Sequence, residues 1–336
     1  MEKKYENRYL AIMKILQDSP KPVSSFVISS QLSAMGHKVG PRSVRLSLQY
    51  LDDCGYTEAL GRKGRIITDK GRRELLSARI FERVGFMSTK IDQMTYRMSF
   101  DLTSRTGTVI MNTTLIDKER FTDAIPLIQS VFEKGFSMGE LLTLFGPGRR
   151  AGTVAVPEDS VGIGTICSIS LNGVLLRHSI QTHSRFGGLL EFEEGAATRF
   201  LQIINYDGTT MDPMEIFIKS GMTDYTGTVT SGDGIIGASL REMPADSREL
   251  VLNLEHEMRR IGLGGYHTVG LPGNTLMEIP IPDGRIGAVV MGGLNPVAIL
   301  KEWDIPIRHV GAMSGLVDFR EFFHFEELGK RAGAMV

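Results

Sequence analysis

The sequence predicts an α+β chain in two unlike parts: a small helical head closed by a hairpin, then a larger body of two tandem, pseudo-symmetric α/β half-repeats. Three observations carry this. Charge is split: residues 1–83 hold 16 Lys+Arg against 9 Asp+Glu, about +7, and residues 84–336 hold 22 against 30, about −8, although the whole chain is at −1. Apolar residues near the N-terminus recur at helical spacing in three short blocks, with two short extended pieces after them. Beyond residue 105 the chain repeats its own motifs at an offset of 120 to 127 residues.

Taken in order, the first block runs from Tyr5 to Gln17, with Tyr9, Ile12, Met13 and Leu16 on one stripe. Asp18-Ser19-Pro20-Lys21-Pro22 breaks it. Ser24 or Ser25 suits the cap of a second helix, with Val27, Ile28 and Leu32 turned inward and Gly36 as the stop. The third block opens at Gly40-Pro41, where proline costs no hydrogen bond, and ends near Asp52-Asp53-Cys54-Gly55. Val44, Leu48 and Leu51 form its apolar face; Arg42, Arg45, Leu46 and Gln49 fall opposite. Tyr56–Leu60 and Arg65–Thr68 read as extended pieces around the glycine-flanked turn Gly61-Arg62-Lys63-Gly64, and Thr68 caps a fourth helix. Cys54 reads as a small core residue.

Three helices and a basic hairpin make a winged helix-turn-helix. In that arrangement the third helix enters the major groove and the hairpin touches flanking phosphates. The expected DNA-binding residues are Arg42, Ser43, Arg45 and Gln49 on the helix, and Arg62, Lys63 and Arg65 at the hairpin. A cationic head on an acidic body fits a polyanionic partner.

The domain reading is residues 1–83 for the head, 84–104 for a connector, 105–324 for a ligand-sensing and dimerisation domain, and 325–336 for a C-terminal tail. The half-repeats are 105–192 and 225–319. Thr106-Gly107-Thr108-Val109 returns as Thr226-Gly227-Thr228-Val229, and the helical stretch Glu119–Lys134 near Arg241–Arg260. Gly146-Pro147-Gly148 returns as Leu271-Pro272-Gly273, and Gly164 as Gly287. Leu171-Asn172-Gly173-Val174 returns as Leu294-Asn295-Pro296-Val297, and Gly188–Phe192 as Gly315–Phe319. Each half reads as strand, helix, Pro/Gly turn, two strands (Thr153–Val156 with Ile163–Leu171; Met277–Ile281 with Ile286–Leu294), a short helix and a last strand. Asn172 and Asn295 are expected to cap the short helices, with Pro296 at the first helical position. A cleft between related halves is a natural ligand site.

No phosphate loop with its lysine, zinc-protease helix or nucleophile elbow appears, and the seven histidines lack metal-ligand spacing, so neither catalytic nor metal residues nor a cofactor are expected. Two cysteines make no disulfide framework, and no apolar run is long enough to span a membrane; a cytoplasmic protein is expected. Candidate anion-binding residues are Arg149 after a Pro/Gly turn, Asn172 and Arg177 on the first short helix, and Thr182, His183 and Arg185 before Phe186-Gly187-Gly188. Asn295, Arg308 and His309 occupy matching places in the second half.

Met98-Ser99-Phe100-Asp101, Thr106–Asn112, Phe145-Gly146-Pro147-Gly148, the Arg185–Phe192 block and Gly293-Leu294-Asn295-Pro296 give a chain that resembles the archaeal nitrogen-regulatory repressors, the NrpR family, over nearly its whole length. The resemblance implies a repressor of nitrogen-assimilation genes that binds palindromic operator DNA as a homodimer. It also implies that a small dicarboxylate, 2-oxoglutarate, is the inducer. Some members carry two regulatory domains after one winged helix and others split the parts between two proteins, so a second family member is a further expected partner. The reading from another class is an enzyme acting on a small 2-oxo acid, with the head as its regulator; turnover of metabolites by residues 84–336 would separate the two.

Overall fold

The computed structural model describes residues 3–19, 21–34, 39–75 and 86–333. The chain divides into two compact units, Met1–Gly85 and Phe86–Val336.

In the first unit the helices are α1 (Lys3–Gln17), α2 (Ser25–Ala34) and α3 (Pro41–Asp53). Strands β1 (Thr57–Ala59) and β2 (Arg65–Ile67) pair antiparallel around a 3-10 turn at Gly61–Lys63, and α4 begins at residue 69 and is described to residue 75. Ile12, Leu16, Ile28, Leu32, Val44, Leu48, Leu51, Ile67 and Leu75 form one buried cluster. Val27 departs from expectation: it is largely exposed, because the inward stripe of α2 is Ile28, Ser29 and Leu32. Cys54 is half-buried just past the end of α3 rather than in the core. Thr68 caps α4 as expected, accepting from the Gly71 amide at 3.0 Å. Gly36 and Pro20 lie outside the described residues.

Val23 runs beside β2 as an extra bridge, exchanging backbone bonds with Arg65 at 2.9 and 3.0 Å. Gly64 makes that approach possible: its φ is 111°, and a Cβ there would lie 2.6 Å from the Val23 carbonyl. Gly64→Ala is therefore expected to destabilise the head by at least about 1–3 kcal/mol, read as a lower urea midpoint.

The second unit begins with α5 (Met87–Arg97) and β3 (Thr108–Asp117), then α6 (Phe121–Glu133), β4 (Leu141–Phe145), the small hairpin β5 (Arg150–Ala151) and β6 (Val154–Ala155), β7 (Ser160–Ile166), α7 (Ser170–Arg177), β8 (His183–Glu193) and β9 (Ala196–Asn205). It continues through α8 (Pro213–Lys219), α9 (Tyr225–Thr230), β10 (Gly234–Pro244), α10 (Arg248–Arg260), β11 (Thr268–Val269), β12 (Arg285–Met291), α11 (Asn295–Glu302), β13 (Ile307–Asp318), β14 (Phe323–His324) and α12 (Leu328–Ala332). Two antiparallel five-stranded sheets result, in the orders β13-β3-β7-β4-β14 and β11-β12-β10-β8-β9.

The duplication is visible in these orders. The series β3–α6–β4–β7–α7–β8 matches β10–α10–β11–β12–α11–β13, and each half gives its last strand to the other's sheet. Thus β8 pairs with β10, and β13 with β3. The exchange ties the halves into one body.

Several boundaries differ from the sequence reading. Thr226–Val229 belongs to α9; the true counterpart of the Thr108 strand start is Gly234. Arg241 sits in β10, so the second long helix starts only at Arg248. Met277–Ile281 forms no strand, only a Leu276–Ile279 bridge. The caps also fail: α7 begins at Ser170, so Asn172 lies inside the helix, and Asn295 is the first residue of α11 without a side-chain capping bond. Both asparagines are buried and spend their amides on tertiary bonds instead.

The segment 84–104, read as a connector, is part of the body from Phe86 on. Met87, Ile91 and Met94 of α5 join a cluster with α7, α10 and the sheet residues Ile110, Ile286 and Val290. A second cluster gathers α6, α8 and α11. Phe325, Leu328 and Ala332, read as tail, are buried in it.

Candidate DNA-reading face and anion cleft

On α3 the buried residues Val44, Ser47, Leu48 and Leu51 anchor the helix, leaving Arg42, Arg45, Leu46 and Gln49 exposed. The Tyr9 and Tyr50 rings stack at 4.8 Å and brace α3 against α1. Ser43 is half-buried and accepts a bond from Arg8 Nη1 at 2.9 Å. Arg65 is committed elsewhere than expected. Its Nε bonds Asp52 Oδ2 at 2.8 Å, while Thr57 donates to Asp52 Oδ1 at 2.5 Å. Arg65 therefore fixes the hairpin to the end of α3. Lys63 is exposed at the hairpin tip; the Arg62 side chain lies outside the described residues.

The body holds a cleft of about 840 Å³, one of whose walls is β13. Here the ladder with β3 is interrupted between Gly311 and Gly315, and Met313 has φ 49°. The displaced residues are pinned on both sides. Lys90 Nζ donates to the Ala312 carbonyl at 3.1 Å, and the Ala312 amide donates to Glu215 Oε1 at 2.8 Å. The Met313 amide donates to Asn112 Oδ1 at 3.1 Å, and the Ser314 and Thr113 hydroxyls lie 2.6 Å apart. Gly152 fits under the Ser314 carbonyl, which a Cβ would approach to 2.7 Å.

Cations dominate the lining: Lys90, Arg97, Lys219, Lys301 and Arg308, with His309, against one carboxylate, Glu215. Glu215 pairs with Lys219 at 3.1 Å. Arg308 is held by Asp117 and, at 2.5 Å, by Asp159. Arg97 and Lys301 have no acidic partner among the described residues. Such a cleft attracts an anion and holds it in partial shelter from screening.

Of the residues expected to bind a ligand, Arg308 and His309 line this cleft. The others do not meet there. Arg149 is exposed on its turn, and His183 is exposed at the start of β8. Arg177 donates to the Met98 carbonyl at 3.5 Å and lies near Asp101, away from the cleft. Thr182 keeps its hydroxyl buried, with no hydrogen-bond partner among the described residues. Arg185, in the bulge of β8, bonds Glu242 at 2.9 Å and the Pro280 carbonyl at 3.0 Å. Asn295 is saturated: its amide donates to the Phe136 and Gly237 carbonyls at 2.8 Å each, and its oxygen accepts from the Tyr225 hydroxyl at 2.7 Å. Asn172 donates to Ser184 and accepts from Arg241 at 3.2 Å.

Sequence reasoning missed Lys90, Arg97, Lys219 and Lys301, each an ordinary cation on an amphipathic helix until α5, α8 and α11 bring them together. It also missed Arg241, which is fully buried and held by Asn172, Ser168 and the Leu240 carbonyl, with the Tyr206 ring 5.8 Å away. Cys167 is buried, and its thiol is pushed up to about 12 by desolvation, which leaves it inert.

Behind the cleft, Asp212 caps α8, accepting from the Met214 and Glu215 amides at 2.9 and 3.4 Å. Burial first, and Glu215 second, raise its carboxyl to about 6. The folded state thus binds this proton more tightly than the unfolded state. The stabilising contribution is complete below the ordinary carboxylate range and is lost as pH rises through about 6. Asp212→Asn keeps a capping oxygen and cannot ionise. Melting temperatures should therefore fall less between pH 4.5 and 7.5 in the variant than in the native chain.

A winged helix followed by a duplicated α/β body with its own ligand-sized cationic cleft defines a two-part winged-helix protein. Residues 84–324 match the family model for NrpR regulatory domains NRD1 and 2, and residues 10–75 match the ribonuclease R winged-helix domain. The chain belongs to the NrpR family. It is 30% identical over 320 residues to the global nitrogen regulator NrpRI of Methanosarcina mazei, covering 95% of this chain and 98% of that one. Against the global nitrogen regulator NrpR of Methanocaldococcus jannaschii it is 29% identical over 300 residues, 88% of this chain but 51% of the relative, so it spans about half of that protein. A crystal structure of a nitrogen repressor-like protein from Methanococcus jannaschii superposes with a TM-score of 0.59 at 29% identity, covering 71% of this chain and 98% of that one. Among the described residues no helix is long and apolar enough to cross a membrane.

Proposed function

We propose that this chain is a DNA-binding repressor of nitrogen-assimilation genes, and that 2-oxoglutarate bound in the body releases it from its operator. The observation that carries the ligand half is the cleft, where Arg97 and Lys301 present cations without acidic partners among the described residues, beside His309. A dicarboxylate supplies the negative charge such a lining lacks, and the His309 ring in the same lining can donate to a keto oxygen. The DNA half rests on the exposed face of α3, with Lys63 at the hairpin for phosphate contact.

Release requires a coupling free energy between the two sites. The working unit is a homodimer, or a pair with a second family member, on a palindromic operator. Its two heads read half-sites one helical turn apart, so a ligand that alters the body changes the spacing of the heads and weakens both contacts at once. Calorimetric titration of the full chain with 2-oxoglutarate tests the ligand assignment. Saturable heat and a rise in melting temperature are expected; neither heat nor thermal shift at millimolar ligand would remove 2-oxoglutarate from the account.

A further inference from the structure

Leu46 is left unused by everything above. It is 64% exposed at the middle of α3, between Arg42, Arg45 and Gln49. Isolated exposed leucines are ordinary on protein surfaces and by themselves mean nothing. This one is placed differently. The helix is held from behind by Val44, Leu48 and Leu51, each at most 1% exposed, so Leu46 sits on the face that points away from the core. Its helical neighbours on that face are the residues with hydrogen-bonding ends suited to base edges.

The major groove offers such a side chain one apolar feature, the 5-methyl group of thymine. We infer that Leu46 is a specificity-determining residue that packs on a thymine methyl in each operator half-site, while Arg45 and Gln49 read neighbouring polar edges. This rests on the reading of the head as a DNA-binding module. It adds a requirement that the cationic residues do not impose: the bound sequence must carry thymine, and its methyl group, at one position of the half-site. Helix cations alone would tolerate uracil there, since uracil keeps the same hydrogen-bonding edge and lacks only the methyl.

The test uses the full chain and a duplex enriched by it from a randomised library. Each thymine of the half-site is replaced in turn by deoxyuridine, and affinity is measured for the native chain and for Leu46→Ala. One replacement should cost the native chain about four-fold, the worth of one buried methyl group, and cost the variant nothing. The exposed position makes a folding defect in the variant easy to exclude by its melting curve. Equal affinity of the native chain for thymine and uracil at every position would overturn the inference, as would an equal loss in Leu46→Ala. Failure of the library to enrich any duplex would instead overturn the DNA-binding reading on which the inference stands.

Discussion

A chain carrying both Arg42→Ala and Arg45→Ala binds operator DNA more weakly by tens-fold to about ten-thousand-fold, since a good arginine contact to a guanine edge is worth about 1–3 kcal/mol. The expectation follows from position. Both residues are exposed on the outer face of α3, while the buried face that sets the helix's place is untouched. The melting temperature should therefore stay close to that of the native chain. Lys63→Ala provides the contrast: it should weaken binding to all sequences alike and reduce the salt slope by about one for each head bound, the signature of one lost phosphate contact per half-site. Arg65→Ala should behave differently again. It breaks the bond to Asp52 that fixes the hairpin, so its loss of affinity should come with a loss of stability. Unchanged DNA affinity in the double arginine variant would remove α3 from the interface.

Reversing charge in the cleft, with Arg97→Glu and Lys301→Glu together, abolishes the response to 2-oxoglutarate and leaves DNA binding in its absence intact. Among the described residues the two side chains have no acidic partners to lose, and both are exposed, so the cost to the fold is small. The ligand faces two repulsive charges where it had two attractive ones, a change large enough to raise its dissociation constant at least a hundred-fold at the about 1.5–3 kcal/mol typical of one charged hydrogen bond. Such a variant is a repressor that no longer lets go. Equal release of variant and native chain by 2-oxoglutarate would place the ligand elsewhere.

The head was readable almost to the residue because its signals are local. Pro41 starts a helix, Val44-Leu48-Leu51 orient it, Thr68 caps the next, and two glycines bound the turn. What escaped there was commitment between side chains: nothing in the order of residues says that Arg65 is held by Asp52. In the body the repeat was readable, and its consequence was not. Exchange of β8 and β13 between the halves is a choice among strand partners, and the pattern of apolar residues is the same whichever neighbour a strand finds. The asparagines were misread for a related reason. Asn172 and Asn295 look like caps at strand-to-helix steps, yet each is buried and serves contacts far along the chain. Arg308-His309 was singled out because it recurs at a matching position, and both residues line the cleft. Lys90, Arg97, Lys219 and Lys301 come from three helices spread over more than two hundred residues, a convergence that only the fold creates.

The central claim is that one small dicarboxylate governs the grip on DNA, and it can be tested in one titration. A fluorescent duplex enriched by the full chain is held at saturation, and 2-oxoglutarate is added to millimolar concentration at constant ionic strength, with succinate as the control for charge. Anisotropy should fall to the value of free DNA with 2-oxoglutarate and remain high with succinate. Anisotropy that stays high with both, while calorimetry shows the ligand bound, would contradict the coupling of cleft to head.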